Sequence, residues 1–150
     1  MTAYLYRHRV TFDETNVVGN VYFAHYLHWQ GHCREHFLAD HAPAVLAAVR
    51  AGELVLATVS CDMEYYAEAF ALDEVEVAMT LRDSGGNRVL MDFDFRLGGR
   101  LCARGSQVVA CLRRTAAGAE PVSLPAELLS ALRAYRRPPD HRERDGDRPT

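Results

Sequence analysis

The stretch VYFAHYLHWQGHCREHFLA, residues Val21 to Ala39, decides the architecture. Tyr22, Tyr26, Trp29, Cys33 and Phe37 recur at spacings of four, three, four and four, the period of a helix. At about 100° per residue they share one arc with Gln30, and Leu27, Leu38 and Gly31 continue it. More than half of the circumference is therefore apolar or small, while His25, His28, His32 and His36 fill the remaining side. A helix apolar over so wide an arc needs a sheet wrapped around it.

The flanking segments supply that sheet. Tyr4, Tyr6, His8, Val10 and Phe12 alternate with Leu5, Arg7, Arg9 and Thr11, which predicts a strand, and Asp13 to Asn20 predicts a loop. A short second helix is predicted over Pro43 to Ala51, with Gly52 at its exit. Strands are then predicted over Leu54–Tyr66, Glu74–Arg82, Val89–Leu97 and Leu101–Leu112, with hairpin turns at Ser84–Asn87 and Gly98-Gly99. A last helix is predicted over Pro125–Tyr135. The fold class is α+β, one domain over residues 1–135. The remaining stretch, 136–150, has nine charged residues and three prolines in fifteen and is expected to be disordered.

Composition narrows the function classes. One domain of 150 residues buries roughly 70 % of its unfolded surface. The 49 % hydrophobic and 25 % charged content is that of an ordinary globular protein. Seventeen basic against twenty acidic residues give a net charge of -3, which argues against nucleic acid or an anionic membrane as partner. No apolar run approaches the roughly 18 to 20 residues of a membrane span, and the first strand begins without a signal-peptide pattern. The expected compartment is the cytosol. The four cysteines lack CxxC spacing and read as buried thiols, with neither disulfide nor zinc expected.

Few residues invite chemistry. His28, His32 and His36 form a stripe four residues apart, which reads first as a solvated or interface-facing helix side rather than a metal site. Cys33 sits on the apolar arc, where a thiolate is disfavoured. No nucleophile elbow or phosphate loop is present. Arg34 is the odd residue, because it lies on the wheel between Gln30 and Leu27, inside the covered arc. It either pairs with Glu64 or Glu68 or aims at a substrate oxygen, since an unpaired buried charge is costly. Asn16 and Gly19 stand just before the helix N-terminus, whose free N–H groups favour developing negative charge. Asn16 serves there as a plain turn residue or, with Arg34, outlines an oxyanion site.

Val10-x-Phe12, then Thr15-Asn16-x-x-Gly19-Asn20-Val21-Tyr22-Phe23-x-x-Tyr26, resembles the signature of hotdog-fold thioesterases of the 4-hydroxybenzoyl-CoA type. Trp29-Gln30-Gly31-x-Cys33-Arg34-Glu35, Tyr65-Tyr66-Ala67-Glu68, Leu72-Asp73-Glu74-Val75 and Arg104-Gly105-x-Gln107 extend the likeness over Val10 to Arg114. This longer set is similar to the thioesterases of enediyne polyketide biosynthesis. The wider family carries an aspartate where Asn16 stands, and some members a histidine at Phe23 and a glutamate at Gly31. The enediyne branch shares the loss of the acid.

The resemblance implies a single hotdog fold, a long helix inside a curved antiparallel sheet. It also implies release of a linear polyene β-keto acyl chain from the acyl carrier protein domain of an iterative polyketide synthase, without cofactor or metal. Arg34, Asn16 and the Tyr26 hydroxyl are then expected to stabilise the oxyanion beside the Phe23 backbone N–H. Gly19, Tyr22, Phe23 and Leu27 are expected to border the substrate channel. A homotetramer built as a dimer of dimers, with sites at the dimer interface, is expected as well. A broad acyl-CoA thioesterase and a non-catalytic polyketide-binding protein are the competing readings.

Overall fold

The structure, a computed structural model, describes residues 2–138. Strand β1 (Tyr4–Arg9) leads through a 3-10 turn (Phe12–Glu14) and a bridged loop into α1 (His25–His41) and α2 (Pro43–Arg50). Strands β2 (Leu54–Tyr65), β3 (Glu74–Asp83), β4 (Arg88–Leu97), β5 (Arg100–Thr115) and β6 (Gly118–Pro121) follow, and α3 (Ala126–Ala134) comes last. All pairings between named strands are antiparallel, in the order β1-β3-β4-β5-β2, with β6 on the far end of β5. A long helix against a curled antiparallel sheet is the hotdog arrangement that the sequence implied.

Period-two alternation builds the sheet's inner face. Val75, Val77, Met79 and Leu81 on β3, with Val89, Met91, Phe93 and Phe95 on β4, are 2 % exposed or less, and they share one core with Trp29, Cys33 and Phe37 of α1. Each such side chain contributes about 1.5–3 kcal/mol on burial, so this contact fixes where α1 lies. Left-handed backbone at Gly85 (φ 80°) and Gly86 (φ 61°) turns β3 back into β4. Glu127 of α3 accepts from the Ala44 and Val45 N–H groups at the start of α2, both at 3.1 Å.

Three expectations shift. The helix begins at His25 rather than Val21, because the amides before it are already committed. Val21 N–H donates to Ala69 O and Tyr22 N–H to Glu14 O, both at 2.9 Å, which holds this segment extended. β6 was not expected, and its four exposed residues carry no apolar signal. Arg136 and Arg137 are tied to the edge of β3, where Leu81 N–H donates to Tyr135 O and Arg137 N–H to Leu81 O. The rest of the charged stretch, 139–150, lies outside the described residues. Among the described residues no helix is long and apolar enough to cross a membrane.

Candidate active site

One stripe of α1 faces β2. Gln30 and Arg34, four residues apart, follow the strand backwards. Tyr65 Oη donates to Phe23 O at 2.8 Å, Gln30 Nε2 to Asp62 O at 3.0 Å, and Arg34 Nη1 to Thr58 Oγ1 at 3.0 Å. Arg34 Nη1 also donates to Gln107 Oε1 at 2.9 Å. Both acceptors are neutral, and Arg34 Nε is buried without any partner. Neither carboxylate offered as a structural partner is used, since Glu64 accepts from Tyr66 Oη and Glu68 from Asn20 Nδ2. Burial pushes the Arg34 pKa below its ordinary value, and the adjacent Glu35 carboxylate works in the opposite direction. Among the described residues Arg34 makes no salt bridge, Glu35 acts on it only at longer range, and its guanidinium keeps donor capacity for a further oxygen.

Arg34 lines an open groove of about 570 Å³ between α1, α2 and β2, whose apolar wall includes Leu38, Leu46, Val49 and Leu56. Arg50 and Arg114 line the same groove. The sequence shows no basic cluster on one strand, and the fold gathers these three cations from separate segments.

The loop before α1 is pinned by a residue that sequence reasoning missed. Glu14 is 7 % exposed and accepts from His8 Nε2 (2.7 Å), Trp29 Nε1 (2.6 Å), Thr11 N–H (2.9 Å) and Thr11 Oγ1 (3.0 Å). Burial alone would raise its pKa. The bonds from the Thr11 N–H, His8, Trp29 and the Thr11 hydroxyl outweigh that and hold it at about 2. Glu14 thereby ties β1, the 3-10 turn and α1 together. Its sequence signal is the Thr-x-x-Glu spacing of a capping box at Thr11. Beyond it, Asn16 N–H donates to Asn20 O at 2.7 Å, and Gly19, at φ +90°, donates to Asn16 O at 2.9 Å. The exposed Asn16 side chain donates to Asn20 Oδ1 at 3.2 Å.

Asn16, Gly19, Tyr22, Phe23 and Leu27 thus gather where α1 begins. Arg34 lies nine residues beyond His25, about 13 Å along the helix axis, so one chain does not bring it to Asn16. The Phe23 N–H has no acceptor among the described residues. Tyr22, Phe23 and Leu27 are 36–58 % exposed and leave apolar surface in water around the helix start. Tyr26 does not join them. It is 3 % exposed, its ring packs on Trp29, Tyr65 and Phe95, and its hydroxyl meets the Ala69 backbone. Chiefly through burial its pKa is raised, and its ring packs edge-on against Tyr65.

Other candidates are accounted for. Burial pushes the Cys33 thiol up to about 12, which removes it as a nucleophile. His36 stacks on Tyr6 and His32 faces it. Among the described residues no group of three or more His, Cys, Asp or Glu could hold a metal. Among the described residues strand β2 (twelve residues) pairs only with β5 and leaves its other edge open. A break in register between Thr58 and Ser60 turns Val59 out, 48 % exposed.

A long helix wrapped by a curled antiparallel sheet defines a protein of the hotdog class. The sequence profile of the Thioesterase-like superfamily matches residues 10–132, and the chain belongs to that family. It is similar to the dynemicin thioesterase, whose crystal structures reveal induced-fit and allosteric effects upon polyene binding. Identity is 59 % over 89 % of this chain and 97 % of that one, with a TM-score of 0.85. This agrees with the enediyne likeness of the motifs. The 1,4-dihydroxy-2-naphthoyl-CoA thioesterase from Synechocystis shares the fold at 21 % identity over 91 % and 100 % of the two chains, with a TM-score of 0.78. A gentisyl-coenzyme A thioesterase does so at 20 % identity over 85 % and 97 %, with a TM-score of 0.71. No curated protein matches the chain.

Proposed function

We propose that this protein hydrolyses a linear, conjugated β-keto acyl thioester from the acyl carrier protein domain of an iterative enediyne polyketide synthase in the cytoplasm. The observation that carries the reading is Arg34, a cation held by neutral acceptors only, with a free Nε, on an apolar groove. A β-keto thioester has two carbonyl oxygens for such a cation, and the groove accepts its hydrocarbon. Water adds to the thioester carbonyl, and the negative charge that develops on oxygen meets Arg34, Asn16 and the Phe23 N–H. Collapse breaks the C–S bond and expels the carrier thiol, and the β-keto acid can then lose carbon dioxide. The two buried carboxylates among the described residues, Glu14 and Asp92, are bound elsewhere, so neither serves as base, and the contribution of Arg34 and Asn16 is electrostatic.

Arg34 and Asn16 meet only if two chains assemble. Antiparallel pairing of two open β2 edges about a two-fold axis sets the start of one α1 beside the later turns of the other. The working unit is then a dimer, and two dimers make the homotetramer. The test is single-turnover hydrolysis of a polyene β-ketoacyl carrier protein. Wild type is expected to release acid rapidly, and Arg34→Ala or Asn16→Ala is expected to slow release by about 100-fold or more. Near-normal turnover by Arg34→Ala overturns the mechanism. Asn16 cannot ionise, which favours a non-catalytic polyketide holder, and binding without release by wild type would select that reading. Because Arg34, Arg50 and Arg114 share one groove, the same acyl group on coenzyme A forms the second arm. Equal rates on both carriers would select a broad acyl-CoA thioesterase.

A further inference from the structure

Gln30 and Gln107 are the buried amides beside Arg34, 0 % and 5 % exposed, and the scheme above gives them no task. They form a relay with one possible polarity. The Asp62 carbonyl can only accept, so Gln30 must present Nε2 to it (3.0 Å) and turn Oε1 inward. Gln107 Nε2 donates to that Oε1 at 3.1 Å, which leaves Gln107 Oε1 facing Arg34. The guanidinium can only donate, so the far end of the relay agrees with the near end. Two unambiguous groups fix both amides, and neither can flip without setting donor against donor.

We infer that Gln107 is the positioning residue for Arg34: it holds the guanidinium in place through a neutral oxygen and so leaves its charge available to the substrate. The inference rests on the reading of Arg34 as the cation of the oxyanion site. A carboxylate at position 107 would hold the arginine equally well and cancel its charge. An apolar side chain there would leave the charge and release the geometry. Gln30 acts one step further away, by fixing which end of Gln107 faces the arginine.

The experiment compares wild type, Gln107→Glu, Gln107→Met, Arg34→Ala and the Gln107→Met/Arg34→Ala double variant, each checked for an unchanged thermal midpoint. Steady-state release of a β-ketoacyl group from carrier protein is followed over a substrate series to separate kcat from KM. Both Gln107 variants are expected to lose about 10- to 100-fold in kcat with KM little changed. On the Arg34→Ala background, Gln107→Met is expected to change the residual rate less than about twofold, because its effect runs through the arginine. Independently of turnover, Arg34 side-chain resonances are expected to show restricted guanidinium rotation in wild type and faster rotation in Gln107→Met, where Thr58 alone still holds Nη1. Normal kcat in either Gln107 variant, equal losses with and without Arg34, or unchanged rotation in Gln107→Met overturns the inference. An Arg34→Ala variant as fast as wild type would instead overturn the underlying mechanism, while the rotation measurement would still judge Gln107.

Discussion

Arg34 and Glu14 are both charged residues withdrawn from water, and their surroundings assign them opposite tasks. Arg34 meets a hydroxyl and an amide oxygen and keeps one donor idle, so its charge is still to be used. Glu14 meets four donors and has its charge consumed in holding three elements together. That difference has a pH signature. The Glu14 carboxyl is held at about 2, below its ordinary value of 4.5, so its stabilisation is complete above the ordinary value and is lost as pH falls towards 2. The full effect is up to about 3 kcal/mol. Urea unfolding of wild type and Glu14→Gln between pH 7 and pH 2.5 should therefore show wild type the more stable at neutral pH, with the gap closing on acidification. A gap that stays constant or widens in acid would show that the carboxylate is not the anchor.

At the level of elements, Gly105 is where β5 meets α1 and β2 with no room for a side chain. A Cβ there would overlap Gln30 Nε2, Met63 Sδ and the Asp62 carbonyl oxygen. The two side-chain ends can move, but the carbonyl belongs to the β2 backbone. Gly105→Ala is expected to lower stability by about 1–3 kcal/mol and to cost activity through the displaced Gln30, measured by thermal unfolding and single-turnover release on one preparation. Unchanged stability and rate would mean that β5 has slack at this point. Such packing was not legible in the sequence, although the elements were. Period-two alternation gave β3 and β4 nearly to the residue, since those strands have one buried face. The start of α1 was misplaced because Val21 and Tyr22 fit the helical period while their amides are bound by Ala69 and Glu14, which are distant or easily overlooked in sequence. Arg34 stood out because it breaks the apolar arc. Gln107 entered only as part of a motif, since its role depends on a residue 73 positions away.

For the whole molecule, the open edge of β2 and the exposed residues around the start of α1 have one common consequence. Phe12, Val17, Val18, Tyr22, Phe23 and Phe70 are all at least 43 % exposed, and clustered exposed apolar side chains mark an interaction surface. The proposed two-fold pairing of β2 edges would cover part of it and build each site from both chains, Asn16 from one and Arg34 from the other. Mixing Asn16→Ala and Arg34→Ala subunits separates this from a site made within one chain. Each variant alone has only damaged sites. A mixed dimer has one site carrying both substitutions and one carrying neither. Random reassociation at equal amounts makes about half of the dimers mixed, so about a quarter of all sites are intact and about a quarter of wild-type activity should return. If both residues served the same site from one chain, every site in the mixture would still carry one substitution and no activity would return. The recovery must also follow the time course of subunit exchange, which dilution and re-concentration of the mixture would display. Prompt recovery before any exchange would indicate a contaminating hydrolase, and a monomeric mass in sedimentation would exclude the shared site altogether.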